Sequence, residues 1–559
     1  MGRTWTRAAV AALSGLVLAG AAAPAAAHAQ GPDGTWLVQL APGAALPRGA
    51  EVVRDLAGVG MAVVTATAQE AAALRTAPGV TGVTPDGGVQ LAQAAPTTTA
   101  GLGSLASTLT AAGADATRLT GAGVDVAVVD SGVAPVPGLT GAKVVHGPDL
   151  SFESQRASTR YLDTYGHGTH LAGIIAGSDP ATGFRGLAPG ARVVSVKVAD
   201  ARGAADVSQV IAGIDWVVEN KDAGDLDVRV LNLSFGTPAL QSHLRDPLSH
   251  AVEAAWHRGL VVVVSAGNEG AASGRLLNPA QDPYVIAVGA SDHRGTASPA
   301  DDGVAAFSSR GDGTRNPDLL APGRSIASLR VPGSWVDTAY GATANVGTQL
   351  TRGSGTSQSA AVVSGAVALL LEQRPGLSPD QVKALLRSTA DPVAGADARA
   401  QGAGRLDVAG ALAAATPWAN QVHLRSSGTG SLDLARGGYR LQLDGAVLQG
   451  ERDVWGRSYS GALRGAAQTT GTAWVGSTWN GSSLVTGRVV GGAYEVVAWT
   501  GRTWAGDLWA GRTWASGQWN GRTWAEGSWT GRTWAGAGWA GRSWAANGWA
   551  ANGWASTWG

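Results

Sequence analysis

Apolar positions follow two rhythms between residues 111 and 415. Short continuous runs, Val124–Val129, Val193–Val198, Val228–Ser234, Leu260–Val264 and Tyr284–Gly289, have the length of buried strands. Between them lie helical patterns: Val207, Val210, Ile211, Ile214 and Val217 share one face of a helix from Asp206 to Asn220. His167-Gly-Thr-His170 opens another helix, running through Gly177. A small Gly-rich turn leads into a long apolar helix from about Ser357 to Gln373, which Pro375 stops. Ser378 to Ser388 is a late helix begun at Ser-Pro. Strands alternating with helices predict a parallel α/β sheet.

The flanking regions have other patterns. Residues 30–94 predict strands at Thr35–Leu40 and Met61–Ala66, a helix from Gln69 to Thr76 and a further strand in Pro78–Asp86. A small α+β unit placed before a larger domain reads as a propeptide, and the Thr/Ser/Gly linker from Pro96 to Thr110 as a cleavage zone. Residues 416–498 are rich in Gly, Ser and Thr and read as a spacer or small β module. From Trp499 to Trp554 a Trp falls every five residues, commonly as Trp-x-Gly-Arg-Thr-Trp. In an extended chain every second Trp returns to the same side, and the glycines permit turns, so ten-residue coils with stacked Trp ladders fit the repeat. Three readings of residues 499–559 stay open: a self-packed Trp/Arg ladder, a disordered tail, and a module that attaches to the cell envelope. The last draws on flat aromatic faces suited to sugar rings and on Arg502, Arg512, Arg522, Arg532 and Arg542, set against Asp507 and Glu526.

The chain of 559 residues is too long for one core. Charged residues are 15% and balance to zero, which implies no nucleic-acid partner. Cysteine is absent, so disulfides and thiol catalysis are excluded. Arg3 and Arg7, an apolar run from Ala8 to about Ala23, and Ala27-His-Ala29 together read as a secretory signal over residues 1–29, cleaved after Ala29. The arginines are not adjacent, so a twin-arginine route is not indicated. The run is short for a membrane anchor and Pro24 breaks it, so no membrane span is expected in the mature form.

The chemistry begins at Ser357, in the first turn of its helix, where unpaired N–H groups and the positive end of the helix dipole meet whatever approaches. Amide hydrolysis by a serine also needs a base, a carboxylate to orient it, and oxyanion donors. His167 supplies the base. Asp130 and Asn268 lie just past the C-terminal ends of strands, where open α/β sheets place their sites. His170 lies one turn past His167, but no third ligand is apparent, so the pair does not read as a metal site.

Asp130-Ser-Gly132, Gly166-His-Gly-Thr-His-Leu-Ala-Gly173, Ser265-Ala-Gly-Asn-Glu-Gly270 and Gly355-Thr-Ser357 resemble the four motif blocks of the subtilisin-like serine peptidases, in the Asp, His, Ser order of that family. Leu231–Gly236 resembles the family's substrate-binding edge strand, and Pro317–Gly323 another of its blocks. The resemblance covers about residues 111–415. It implies an α/β fold with a subtilisin-like parallel sheet flanked by helices, preceded by a small α+β propeptide and followed by a β-rich, repeat-bearing C-terminal region. The implied domains are a signal peptide (1–29), an inhibitor- or chaperone-like propeptide (30–94), a catalytic domain (95–415), the spacer or small β module (416–498) and the Trp-rich repeats (499–559).

The resemblance also assigns roles. Ser357 attacks, His167 is base and then acid, Asp130 orients it, and Asn268 with the Ser357 N–H forms the oxyanion hole. Substrate adds as a strand along Ser234, Phe235 and Gly236, opposite the loop at Arg202–Ala204. Ser265, Ala266 and Gly267 line a wall of the main specificity pocket. Gln358 and Ala361 stand where the family usually has Met and Pro. No cofactor is required for this chemistry. Family members often bind calcium at surface loops, but no D-x-[DN]-x-[DN]-G run assigns ligands here. The expected activity is that of a secreted, autoprocessed endopeptidase whose partners are polypeptide substrates, its own propeptide and, on the third reading of the tail, envelope polymers. An inactive relative serving as a scaffold for the tail, and an adhesion protein dominated by the repeats, are the competing classes.

Overall fold

The computed structural model describes residues 35–40, 46–47, 51–56, 61–85, 108–110 and 112–114. It then describes 117–501, apart from 156–157, 297, 444–445 and 491–492, and short strands at 504–505, 508–511, 514–515, 518–519, 529–530 and 539–540. The expected signal peptide and most of the expected cleavage linker lie outside the described residues.

The N-terminal unit is built on β1 (Thr35–Leu40), β2 (Glu51–Leu56), β3 (Met61–Thr65), α1 (Ala68–Leu74) and β4 (Val80–Pro85). The strands form an antiparallel four-stranded sheet in the order β2-β3-β1-β4. Thr67 and Glu70 close a capping box that starts α1. Val38, Ala62, Val64, Ala71 and Val83 form a small core of their own. β2 was not among the expected strands.

The main unit follows the expected alternation: β5 (Asp125–Asp130), β6 (Val144–Asp149), α2 (His167–Ala176), β7 (Arg192–Lys197), α3 (Val207–Asn220), β8 (Val228–Leu233), α4 (Pro247–His257), β9 (Val261–Ser265), β10 (Ile286–Asp292) and β11 (Leu319–Pro322). β12 (Ile326–Leu329) pairs antiparallel with β13 (Leu350–Gly353), and α5 (Thr356–Gln373) and α6 (Pro379–Ser388) follow. The strands β11-β10-β9-β8-β5-β7-β6 pair in that order, all parallel. β5 is the first in sequence and lies inside the sheet, so later strands are laid down on both sides of it. Its C-terminal end is the switch point where such sheets hold their sites. β5 is buried at every position because both faces of the sheet are covered.

The core does not stop near residue 415. Over its described residues to 482, the stretch expected as a spacer or small β module includes α7 (Leu432–Arg436) and α8 (Gly461–Thr470) and packs on α3 and α4. Leu432, Ala435, Val454, Trp455, Tyr459, Trp474 and Trp479 belong to the same apolar cluster as the main sheet. Trp474 Nε1 donates to Ala212 O (2.8 Å) and Trp479 Nε1 to Asp215 Oδ2 (2.7 Å), both on α3. The fully buried Arg436 donates from Nε to Asp206 Oδ1 at 2.6 Å, and Asp206 caps α3.

Beyond this, β14 (Ser482–Val490) and β15 (Ala493–Gly501) form an antiparallel hairpin. The short tail strands pair in parallel with a ten-residue offset: Trp504 opposite Trp514, and Trp509, Trp519, Trp529 and Trp539 in succession. That offset matches a ten-residue coil.

Candidate active site

Asp130 ends β5 with its side chain fully buried, and Ser131 N donates to its Oδ1 at 2.8 Å. His167 opens α2. The residue before it, Gly166, has φ 102°, the left-handed region that favours glycine. His167 Nδ1 lies 2.8 Å from Asp130 Oδ1 and 3.0 Å from Oδ2. Nδ1–H therefore donates to the carboxylate and Nε2 is left as the ring's basic nitrogen. Nε2 is buried and makes no hydrogen bond within the protein. Burial opposes a charged imidazole, but the charge and hydrogen bond of Asp130, with Asp163 further off, outweigh it, so the pKa of His167 lies above the ordinary histidine value.

Ser357 is fully buried in the first turn of α5, and its carbonyl accepts from Ser234 Oγ at 3.3 Å. Asn268 follows the end of β9. Its Oδ1 accepts from Thr356 N (2.9 Å) and Thr356 Oγ1 (3.0 Å), and its Nδ2 is buried without a partner within the protein. The carbonyl end of the amide is thus held, and the donor end is unspent beside the start of α5.

α2 and α5 meet at Gly353. A Cβ there would stand 2.7 Å from Gln358 Nε2 and 2.9 Å from His170 Nε2, so the ends of these two side chains close over the glycine. Burial drives the His170 pKa down to about 3, with His167 adding to the effect, so His170 stays neutral. Among the described residues no group of three or more His, Cys, Asp or Glu is placed to hold a metal ion.

A charged layer beneath Asp130 went unnoticed in the sequence. Lys197, the last residue of β7, is 1% exposed and pairs with Glu153 at 2.8 Å, while donating to Ser131 O (3.0 Å) and Leu162 O (2.6 Å). Burial opposes its charge, but Glu153, Asp149 and Asp163 raise its pKa. Asp163 accepts from Ser131 Oγ (2.8 Å), Gly166 N (2.6 Å) and Thr169 N (2.7 Å), tying the Asp130 turn to the first turn of α2. The only signal for this layer was a lysine inside an otherwise apolar strand pattern.

The substrate-side residues also come together. Ser234 and Phe235 are buried just past β8, and Thr237 pairs with Asn278. Ser265 ends β9 and Ala266 and Gly267 follow it, with Gly267 N donating to Thr356 Oγ1 at 3.2 Å. The loop at Arg202–Ala204 is held by Asp200, whose Oδ1 accepts from Arg202 N (2.8 Å) and Ala204 N (3.0 Å).

A model of the subtilase family matches residues 121–404. The chain belongs to the subtilase family. It is 40% identical over 292 residues to the serine protease AprX of Bacillus subtilis, a match that covers 51% of this chain and 65% of AprX. It is 35% identical over 269 residues to subtilisin DY of Bacillus licheniformis, covering 48% of this chain and 83% of that protein. Among solved structures, fervidolysin of Fervidobacterium pennivorans, a keratinolytic enzyme related to subtilisin, aligns with a TM-score of 0.47 and 26% identity over 69% of this chain and 61% of its own. In this subtilase the matched span contains Asp130, His167, Asn268 and Ser357 and ends before α7, so the extension that packs on α3 and α4 lies outside it.

Proposed function

We propose that the chain is a secreted serine endopeptidase that cuts itself from a precursor. Ser357 attacks the scissile carbonyl. His167 takes the hydroxyl proton at Nε2 and returns it to the leaving amine. Asp130 holds the imidazole in the tautomer that leaves Nε2 basic and stabilises the imidazolium. Asn268 Nδ2 and the Ser357 N–H bind the oxyanion. Substrate adds as a strand along Ser234, Phe235 and Gly236.

The observation that carries this reading is the pair of unspent groups where α2 and α5 meet. One end of each side chain is tied down by a hydrogen bond, His167 to Asp130 and Asn268 to Thr356, and the other end has no partner in the protein.

The N-terminal four-stranded unit serves as propeptide. The Trp repeats attach the enzyme to the cell envelope, a reading supported by the recurring Arg and Trp. A fluorophosphonate probe tests the chemistry: the secreted protein is expected to label at Ser357, and Ser357→Ala to stay unlabelled and accumulate as uncleaved precursor. Absence of label on the secreted protein overturns the reading. For the tail, residues 496–559 fused to a fluorescent carrier should sediment with purified cell wall at low salt, and a carrier that stays in the supernatant overturns the attachment.

A further inference from the structure

The groove between the two backbone walls assigned to substrate has a side chain in it. Gly236, three residues past β8, and Gly267, two residues past β9 on the opposite wall, are the positions where a missing side chain would leave room for a substrate group. Leu277 lies against both. A Cβ on Gly236 would stand 2.8 Å from Leu277 Cβ and 3.1 Å from its Cδ1, and a Cβ on Gly267 would stand 2.9 Å from Leu277 Cγ. The isobutyl group is therefore wedged between the walls, and it is only 7% exposed.

Its backbone is clamped as well. Leu277 N donates to Ala266 O at 3.0 Å. Next to it, Asn278 N donates to Thr237 O (2.8 Å) and accepts from Thr237 N through its own carbonyl (2.9 Å). The segment is thus a strip paired to both walls, which fixes the backbone that carries Leu277. The same side of Gly267 meets Glu269 Oε2 (2.6 Å from a Cβ) and Ser309 Oγ (2.8 Å), and Ser309 Oγ donates to Glu269 Oε2 at 2.8 Å. A carboxylate therefore stands where the apolar floor ends.

We infer that Leu277 forms the floor of the main specificity pocket and limits the residue just before the scissile bond to Gly, Ala or Ser. This rests on the peptidase reading and narrows its substrate class. A Phe, Tyr, Leu or Lys side chain needs the volume that Leu277 occupies, in a close-packed site that does not stretch to admit it. An acidic side chain meets Glu269. A small neutral side chain fits above the isobutyl group and loses nothing.

The test uses the matured full chain and quenched peptides that differ only in that residue. Active enzyme is counted by fluorophosphonate titration, so that kcat/KM refers to folded sites. The wild type is expected to favour Ala over Phe and over Lys by roughly tenfold or more, the scale on which apolar pockets discriminate by size. Leu277→Gly is expected to raise the ratio of kcat/KM for the Phe peptide to that for the Ala peptide by roughly tenfold or more. Leu277→Ala is a milder version if the glycine variant does not label. A wild type that cleaves after Phe or Lys as well as after Ala overturns the inference, as does an unchanged profile in variants that label fully. A wild type that does not label at all overturns the peptidase reading, and the pocket with it. Labelling with the wrong size preference overturns the pocket alone.

Discussion

Asn268 is locked to the residue that precedes Ser357: its Oδ1 accepts both the N–H and the hydroxyl of Thr356, at 2.9 and 3.0 Å. The lock fixes the amide plane, so Nδ2 is aimed before any substrate arrives. A donor preorganised in this way acts on the charge that develops in the transition state and little on the ground state.

Asn268→Ala should therefore lower kcat with KM almost unchanged. The expected loss is about 10²–10³, the cost of one oxyanion donor as known from a subtilisin and carried over to this relative. Thr356→Val keeps the Ser357 N–H but removes one of the two bonds that hold Asn268, and should show a smaller loss of the same kind. Steady-state kinetics on a peptide substrate separate the outcomes. A raised KM with normal kcat in Asn268→Ala would place Asn268 in ground-state binding instead.

On the proposed mechanism the acid limb of the pH profile is set by His167, which must be neutral to act as base. Asp130 raises its pKa against the effect of burial, so kcat/KM should fall off, on acidification, at a pH above the ordinary histidine value of about 6.5. Asp130→Asn removes the charge that raises the pKa and leaves the burial that lowers it. The limb should move to lower pH while kcat drops by about 10⁴, since the amide no longer fixes the productive tautomer. A limb that stays in place in the variant would show that another group sets it.

Arg436 and Asp206 are both fully buried. Removing one partner of such a pair leaves an uncompensated charge in the interior, at a cost of about 3–5 kcal/mol. Arg436→Met, made in a Ser357→Ala background to prevent self-digestion, should lose that much in urea unfolding. Truncation after residue 415 should be worse, because Trp479 and Trp474 leave with their bonds to α3. A truncated chain as stable as the full one would mean that the extension is only an attachment.

Gln358 occupies the position after Ser357, and both its amide atoms are buried without a partner in the protein. Gln358→Met removes two unsatisfied atoms with little change in volume, so the melting temperature should hold or rise. The same change places an oxidisable thioether next to Ser357, and activity should then decay faster in dilute peroxide than in the wild type. A clear fall in melting temperature would indicate that ordered water bridges the amide.

The sequence showed the parts of the site that sit at element boundaries. Asp130 ends a Val-rich strand and Asn268 follows another, His167 follows a glycine at a helix start and Ser357 lies two residues past one, and it was the resemblance of these blocks to the subtilisin-like peptidases that gave them roles. It did not show what depends on tertiary packing. Lys197 reads as one more position in an apolar strand until Glu153 and Asp163 arrive from distant turns. β2 was missed because Arg54 and Asp55 interrupt its apolar run, and its pairing with β3 shifts register between Val52 and Arg54. α8 begins with glycine, a poor helix former, and carries another at residue 465. Those glycines are there for close approach: a Cβ on Gly461 would stand 2.4 Å from Gly428 O, and one on Gly465 would stand 2.8 Å from Ser427 O. Composition read as looseness was contact, and that is why the extension looked like a spacer.

The parallel offset of the tail strands constrains how the tail can change length. Trp504 is in backbone register with Trp514 in one ladder of strands, and Trp509 with Trp519 in the other. Inserting or deleting ten residues adds or removes one rung and about 4.8 Å of height, the spacing between paired strands, and leaves every other pair intact. A five-residue change preserves the spacing of Trp in the sequence but transfers everything after it from one ladder to the other. The tail is therefore a ruler graduated in tens, and its permitted lengths differ by whole coils.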